Sequence, residues 1–283
     1  MELQKGQYHP AGADDLRSPC PVLNSLANHG YIARDGKSIT AAELKSAIRY
    51  VGLGLDIASV LVSRVFQIHS DDPKHGPPGS SQVGLRDPGQ VNRDGIPVLN
   101  LDQVGRPHAL EHDVSITRQD RALGDCIHLD PDLYKQFLRT AKEGKLHSTV
   151  MGRHRKFGKF EHYVACSEVA ALRSVFGKGV TKGIPDDYVR AVFGEERLPY
   201  DEGWSPRRFK VYFPEALALL LHDPLALAIS PHNSLCVSPT EGLFRIPLIL
   251  AALLSRFTAG AARVTKFRTD NRMELSIYDL KQH

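Results

Sequence analysis

The sequence predicts a mainly α-helical protein. Apolar residues return at helical spacing in several separate stretches, and the clearest of these open on a proline or a capping residue. Period-two alternation is scarce and no internal repeat is present. The chain has 283 residues and is 42% hydrophobic, enough to bury a substantial core in one large domain or two small ones. A net charge of +4, with no lysine- and arginine-rich block interleaved with aromatics, gives no argument for nucleic acid as a partner.

Residues 1–17 read as an arm leading into the stretch that organises the rest, Ser18 to Tyr31. Pro21 suits the first helical position, where its missing N–H costs nothing. Leu23, Leu26 and Ala27 then share one face, and Gly30 is placed to end the helix. Cys20 falls at the positive end of that helix, where unpaired backbone N–H groups favour a thiolate. A sulfur fixed in this way can act as a nucleophile, a metal ligand or a haem ligand.

A polar turn over residues 34–39 precedes Thr40-Ala41-Ala42-Glu43, a capping box. Leu44, Ala47, Ile48, Val51, Leu55, Ala58, Leu61, Val62 and Val65 then predict one long, mostly buried helix up to about Phe66. Gly52 and Gly54 weaken its middle. Close approach of another helix or of a flat cofactor would explain them, and so would simple tolerance. Residues 71–94 are rich in Pro, Gly and Ser and read as a mobile surface insertion rather than the rim of an entrance channel. Ile96 to Asp102 suits a short extended segment. Helices are expected over residues 131–142, with Pro131 and Asp132 in the first turn, and over residues 162–175, ended by Gly177 and Gly179.

The basic run from Arg153 to Lys159 reads as a solvated loop, with one arginine meeting a cofactor carboxylate as the sharper alternative. Beyond Trp204 two strongly apolar stretches, 213–222 and 242–254, are interrupted by Asp223 with Pro224 and by Arg245 with Pro247. Neither crosses a bilayer uninterrupted. Core burial is the expected fate, with a dimer face or membrane-surface patch left open. The chain thus divides into an arm (1–17), a domain (18–204) and an apolar C-terminal extension (205–283) packed on the same domain.

Cys20, Cys126, Cys166 and Cys236 are scattered without a CxxC pair, which argues against a zinc site or a dense disulfide framework. The last three read as buried, reduced, small hydrophobes. The N-terminus has no apolar leader and no Asn-x-Ser/Thr sequon occurs, so an intracellular, cytoplasmic protein is expected, or a secreted one if the sequence starts at a mature terminus.

Pro19-Cys20-Pro21, followed by Leu23 to Ile32 and then Arg34-Asp35-Gly36, resembles the fungal haem-thiolate peroxidases, the family of chloroperoxidase and the unspecific peroxygenases. The resemblance implies a single-domain helical haem-thiolate peroxidase fold around one haem b, with Cys20 as the axial ligand of its iron. Glu111-His112-Asp113-Val114-Ser115 resembles the second signature of that family. There the Glu111 carboxylate, the His112 carbonyl and the Ser115 hydroxyl would bind Mg²⁺ against a haem propionate, and such hard oxygen donors suit that cation.

The resemblance also implies a distal glutamate that moves a proton between the peroxide oxygens. Glu168 matches best, oriented by His112, with Asp113 fixing the histidine. Read from the residues alone, Glu168 is equally a helix-surface carboxylate. Glu195 to Trp204 resembles a structural segment of the family. Glu195 and Glu196 are the runner-up acids and read as solvated. The resemblance covers about residues 16–204. The step from Glu111 to Glu168 is shorter than the family pattern, and the chain beyond Trp204 does not follow it.

The implied function is peroxygenation of small apolar or aromatic compounds with hydrogen peroxide, as in a tailoring oxidase of secondary metabolism. One-electron peroxidation or halide oxidation is the alternative within the class. A non-catalytic haem carrier or sensor, and a haem-free thiol protein, are the readings outside it. The sequence leaves oligomeric state and membrane contact open.

Overall fold

The computed structural model describes residues 3–69, 84–106, 115–120, 123–140, 145–146, 171–177 and 183–216. All of them belong to one compact unit, residues 1–233. The mainly helical expectation is borne out: helices carry the packing, and the strands are two-residue ribbons.

Helix α1 spans Pro21–Asn28, with Cys20 as its N-cap and Pro21 in its first turn. Gly30 ends it as expected, in a left-handed conformation with φ +69°. Its N–H donates to the Ala27 carbonyl at 2.9 Å, and Tyr31 N–H reaches back to Leu26 at 2.9 Å, which satisfies the last-turn carbonyls. Arg34 donates to the carbonyls of Asn28 (2.6 Å), Gln4 (2.8 Å) and Gln7 (2.9 Å). Together with Gly6 N–H to His29 O (2.8 Å) and His9 N–H to Asn28 O (2.9 Å), this straps the N-terminal residues across the end of α1.

The capping box forms as read. Thr40 Oγ1 accepts from Glu43 N–H at 3.2 Å, and Thr40 N–H donates to Glu43 Oε2 at 2.9 Å. The single long helix does not. Helix α2 spans Ala41–Val51 and a separate helix α3 spans Leu55–Val65. Gly52 takes φ +134°, and the chain between the helices pairs with an extended segment: Gly54 N–H donates to Val211 O at 2.6 Å and Val211 N–H to Gly52 O at 2.8 Å. A Cβ on Gly54 would lie 2.7 Å from Tyr212 Cδ1. Close approach therefore explains Gly54 and the positive φ explains Gly52, and the neighbour at Gly54 is a strand-like segment rather than a helix or a cofactor.

Strand β1 (Ile39–Thr40) pairs antiparallel with β2 (Val98–Leu99), which fulfils the extended reading of residues 96–102 in part. A 3₁₀ turn over Leu101–Gly105 follows. Residues 71–83 of the expected surface insertion lie outside the described residues. At residues 84–86 the insertion reading is corrected, because they are buried and Arg86 donates to Val98 O (3.1 Å), Phe66 O (3.2 Å) and Gln90 O (2.6 Å), which ties them to α3 and β2, whereas residues 87–94 are mostly exposed as expected.

Helix α4 spans Pro131–Thr140 and is capped by Asp130, whose carboxylate accepts from Asp132 N–H (2.9 Å) and Leu133 N–H (2.8 Å). Residues 171–176 are helical and end at Gly177, while the rest of the helix expected over 162–175 lies outside the described residues. Strands β3 (Lys145–Leu146) and β4 (Ile184–Pro185) form a second antiparallel ribbon. Helix α5 (Asp186–Val189) runs into a π-helical turn, Arg190–Gly194.

The core gathers Leu26, Ala27, Leu44, Ile48, Val62, Phe137, Val192, Leu198 and Trp204. Trp204 Nε1 donates to Val175 O at 3.0 Å, in keeping with the structural reading of residues 195–204. Cys126 is half-buried in a turn rather than buried as expected, and Cys166 and Cys236 lie outside the described residues. So do the basic run 153–159 and the apolar stretches from residue 217 onward. No helix among the described residues is long and apolar enough to cross a membrane.

Candidate functional site

Cys20 is held by a loop closed onto its own helix. Asn24, one turn into α1, is fully buried. Its Oδ1 accepts from Ser18 N–H (2.8 Å) and Ser18 Oγ (2.9 Å), and its Nδ2 donates to Ser18 O (2.8 Å) and to Glu196 Oε1 (2.7 Å). Both lone pairs and both hydrogens of the amide are used. The Ser18 hydroxyl also lies 3.2 Å from the Cys20 N and from the Cys20 O. Cys20 itself is half-buried, with extended backbone at φ −84° and ψ 110°, and its sulfur takes no capping bond from the helix. Pro19, its neighbour, packs against Gly105, where a Cβ would stand 3.3 Å from Pro19 Cγ.

The face of α1 opposite its apolar residues is therefore buried as well. Asn28, one turn beyond Asn24, donates to Glu196 O (3.0 Å) and accepts from Arg17 Nη2 (2.6 Å). His29 donates from Nδ1 to Gly6 O (2.8 Å) and accepts Leu198 N–H at Nε2 (3.1 Å). Those two bonds fix a neutral ring, and burial holds its pKa below the ordinary 6.5. Burial likewise lowers the pKa of the Arg17 guanidinium. Beside them, Tyr31, Tyr50 and Tyr200 join hydroxyls at 2.7–2.9 Å. Burial pushes the pKa of Tyr31 up to about 12.

Of the residues singled out in the sequence, the structure describes Cys20, Ser115, Glu195 and Glu196. Ser115 is half-buried at the start of a segment whose next residues, Ile116, Thr117 and Arg118, are buried. Arg118 donates to Glu196 Oε1 at 2.8 Å, to Thr117 Oγ1 at 2.9 Å and to Ile127 O at 3.2 Å. Glu111, His112, Asp113 and Glu168 lie outside the described residues. Among the described residues no group of three His, Cys, Asp or Glu side chains is placed to hold a metal ion.

The solvated reading of Glu196 is corrected, because its side chain is only 21% exposed and grips Arg118, which is 1% exposed. Glu195, 55% exposed and bonded to Arg197, fits the solvated reading. Sequence reasoning missed Asn24, Asn28, Arg118 and Glu196 as a set. Two asparagines one turn apart in a short helix were the available signal, since asparagine is a poor helix former without a partner. Nothing local marks Arg118.

A cysteine sulfur at a helix N-terminus is a soft donor, and iron is among the metals that such donors ligate. Comparison with known proteins gives the class. The family described as "Peroxidase, family 2" matches residues 6–209. Chloroperoxidase of Leptoxyphium fumago is 32% identical over 118 residues, 41% of this chain and 27% of that protein. Aromatic peroxidase fscJ of Fusarium equiseti is 33% identical over 134 residues, 46% of this chain and 30% of the relative. An aromatic peroxygenase of Cyclocybe aegerita is 24% identical over 266 residues, covering 86% of this chain and 69% of that protein.

The chain belongs to peroxidase family 2, the fungal haem-thiolate peroxidases and peroxygenases. Membership implies haem. The aligned part of the chain spans about a third or less of the first two relatives.

Proposed function

We propose that the protein is a haem-thiolate peroxygenase that uses hydrogen peroxide to oxygenate small apolar or aromatic compounds. The observation that carries this reading is the placement of Cys20. It caps α1 in a loop locked by Asn24, within a chain whose residues 6–209 match a peroxidase family. Cys20 would hold the haem iron, and the haem, when bound, would supply the chemistry of O–O cleavage and oxygen transfer. The α1 N-terminus stabilises negative charge on the sulfur.

The remaining roles belong to the chain's own side chains. Glu168 takes a proton from one peroxide oxygen and returns it to the other, His112 orients the Glu168 carboxylate, and Asp113 fixes His112. The Glu111 carboxylate, the His112 carbonyl and the Ser115 hydroxyl would hold Mg²⁺, whose charge would offset that of a haem propionate. Residues 18–204 form the catalytic domain in this reading, and residues 205–283 an apolar extension packed on it. Relatives named chloroperoxidase and aromatic peroxidase favour a second reading, halide or one-electron oxidation at the same centre.

Peroxide-dependent turnover of a simple aromatic hydrocarbon tests the proposal. Glu168→Gln lowers kcat by about 10²–10⁴-fold, the range for loss of a general acid–base group. Glu195→Gln leaves it unchanged. Loss in the second variant but not the first contradicts the acid assignment. Haem-loaded protein that turns over no organic substrate or halide contradicts the enzyme reading and favours a haem carrier.

A further inference from the structure

We infer that Glu196 is a positioning residue for Cys20, and that it joins the segment following Ser115 to the loop that presents the sulfur. Arg118 is 1% exposed, so its charge requires a buried anion. Glu196 supplies a carboxylate to it at 2.8 Å. The same Oε1 atom accepts from Asn24 Nδ2 at 2.7 Å, and Asn24 in turn carries three hydrogen bonds to Ser18, two residues before the cysteine. The Glu196 backbone is gripped too, because its carbonyl accepts from Asn28 one turn further along α1.

Glu196 also takes φ +49°, a left-handed conformation that a non-glycine residue adopts at a cost. Such strain persists only where the surroundings over-determine it, and here both the side chain and the carbonyl of Glu196 are held. The chain of contacts therefore runs from Arg118 through Glu196 and Asn24 to Ser18 and Cys20. It links the Pro19-Cys20-Pro21 loop to the segment just after the second motif through Asn24 of the first motif and two residues, Glu196 and Arg118, that belong to neither. A shift at residues 115–118 would be felt at the sulfur. This part of the inference rests on Cys20 being the haem ligand. The ordering of the loop does not.

The test compares wild type, Glu196→Gln, Asn24→Asp and the double variant Asn24→Asp/Glu196→Gln as haem-loaded proteins. Asn24→Asp sets two carboxylates against each other, whereas the double variant restores an amide–carboxylate bond with its direction reversed. The absorption band of the reduced carbon monoxide complex reports the state of the sulfur ligand. The inference expects Asn24→Asp to lose most of the thiolate-type band, Glu196→Gln to lose part of it, and the double variant to recover part of what Asn24→Asp loses, since Ser18 O lacks its Asn24 donor in both. Single variants with a wild-type band, or a double variant no better than Asn24→Asp, overturn it.

Should Asn24→Asp fail to fold, Glu196→Gln, which keeps the acceptor atom, decides alone by the same band. Maleimide labelling of Cys20, followed by mass spectrometry of its peptide in haem-free protein, separates the two readings. If wild type shows no thiolate band, the ligation reading has failed. The positioning claim then still predicts labelling about 10-fold faster in the single variants and slower in the double variant than in Asn24→Asp. Equal labelling rates in all four proteins overturn it.

Discussion

Asn24 shows what a single side chain does in this molecule. Its amide makes four hydrogen bonds, three to Ser18 and one to Glu196, with no capacity left over. Asn24→Ala strands the buried Ser18 N–H and carbonyl and removes one of the two donors to Glu196 Oε1, leaving Arg118. It should lower stability by about 2–4 kcal/mol, read from denaturant unfolding of the haem-free protein. A cost below about 0.5 kcal/mol would contradict the clamp, being no more than an ordinary surface substitution. Half of this was legible in the sequence. The Pro19-Cys20-Pro21 placement follows from helix-start chemistry alone, whereas Glu196, the partner that Asn24 and Asn28 share, lies far along the chain, where no local pattern announces it.

Among the elements, the pair α2 and α3 shows where periodicity misleads. The apolar residues from Leu44 to Val65 suit a continuous helix, yet the chain breaks at Gly52–Gly54 because Val211 comes in to pair with the backbone there. Helical spacing reports which face is apolar, and it is silent about a distant segment that competes for the backbone. The start of α2 was legible, because a capping box is a purely local device. Thr40→Ala should cost about 1 kcal/mol in unfolding free energy by losing the side-chain cap. Gly54→Ala should cost more, about 1–3 kcal/mol, since its Cβ would press on Tyr212 Cδ1 and on Val211 O, at 2.7 Å and 2.8 Å. Thermal unfolding of the two variants side by side checks the order, and a Gly54→Ala protein as stable as wild type would remove the account of the break.

At the scale of the whole molecule, His29 joins the N-terminal strap, α1 and the segment after Glu196 through two bonds that need a neutral ring. Burial depresses its pKa in the folded protein below the ordinary 6.5. The unfolded chain therefore binds the proton first as pH falls. The stability that His29 contributes is present in full above 6.5 and is lost as pH drops from there through the lower folded value. The stability difference between wild type and His29→Gln should shrink between about pH 7.5 and about pH 5.5. A difference that grows in that interval would mean a charged ring in the fold.

The same scale holds the central claim, that this family 2 fold exists to present the Cys20 sulfur to haem iron. The absorption spectrum of the reduced, carbon monoxide-bound protein, recorded for wild type and Cys20→Ser after expression with haem supplied, tests it most directly. The account predicts a Soret band red-shifted in the thiolate manner for wild type and lost in the variant. A band in the ordinary histidine position, unchanged by the substitution, would contradict it.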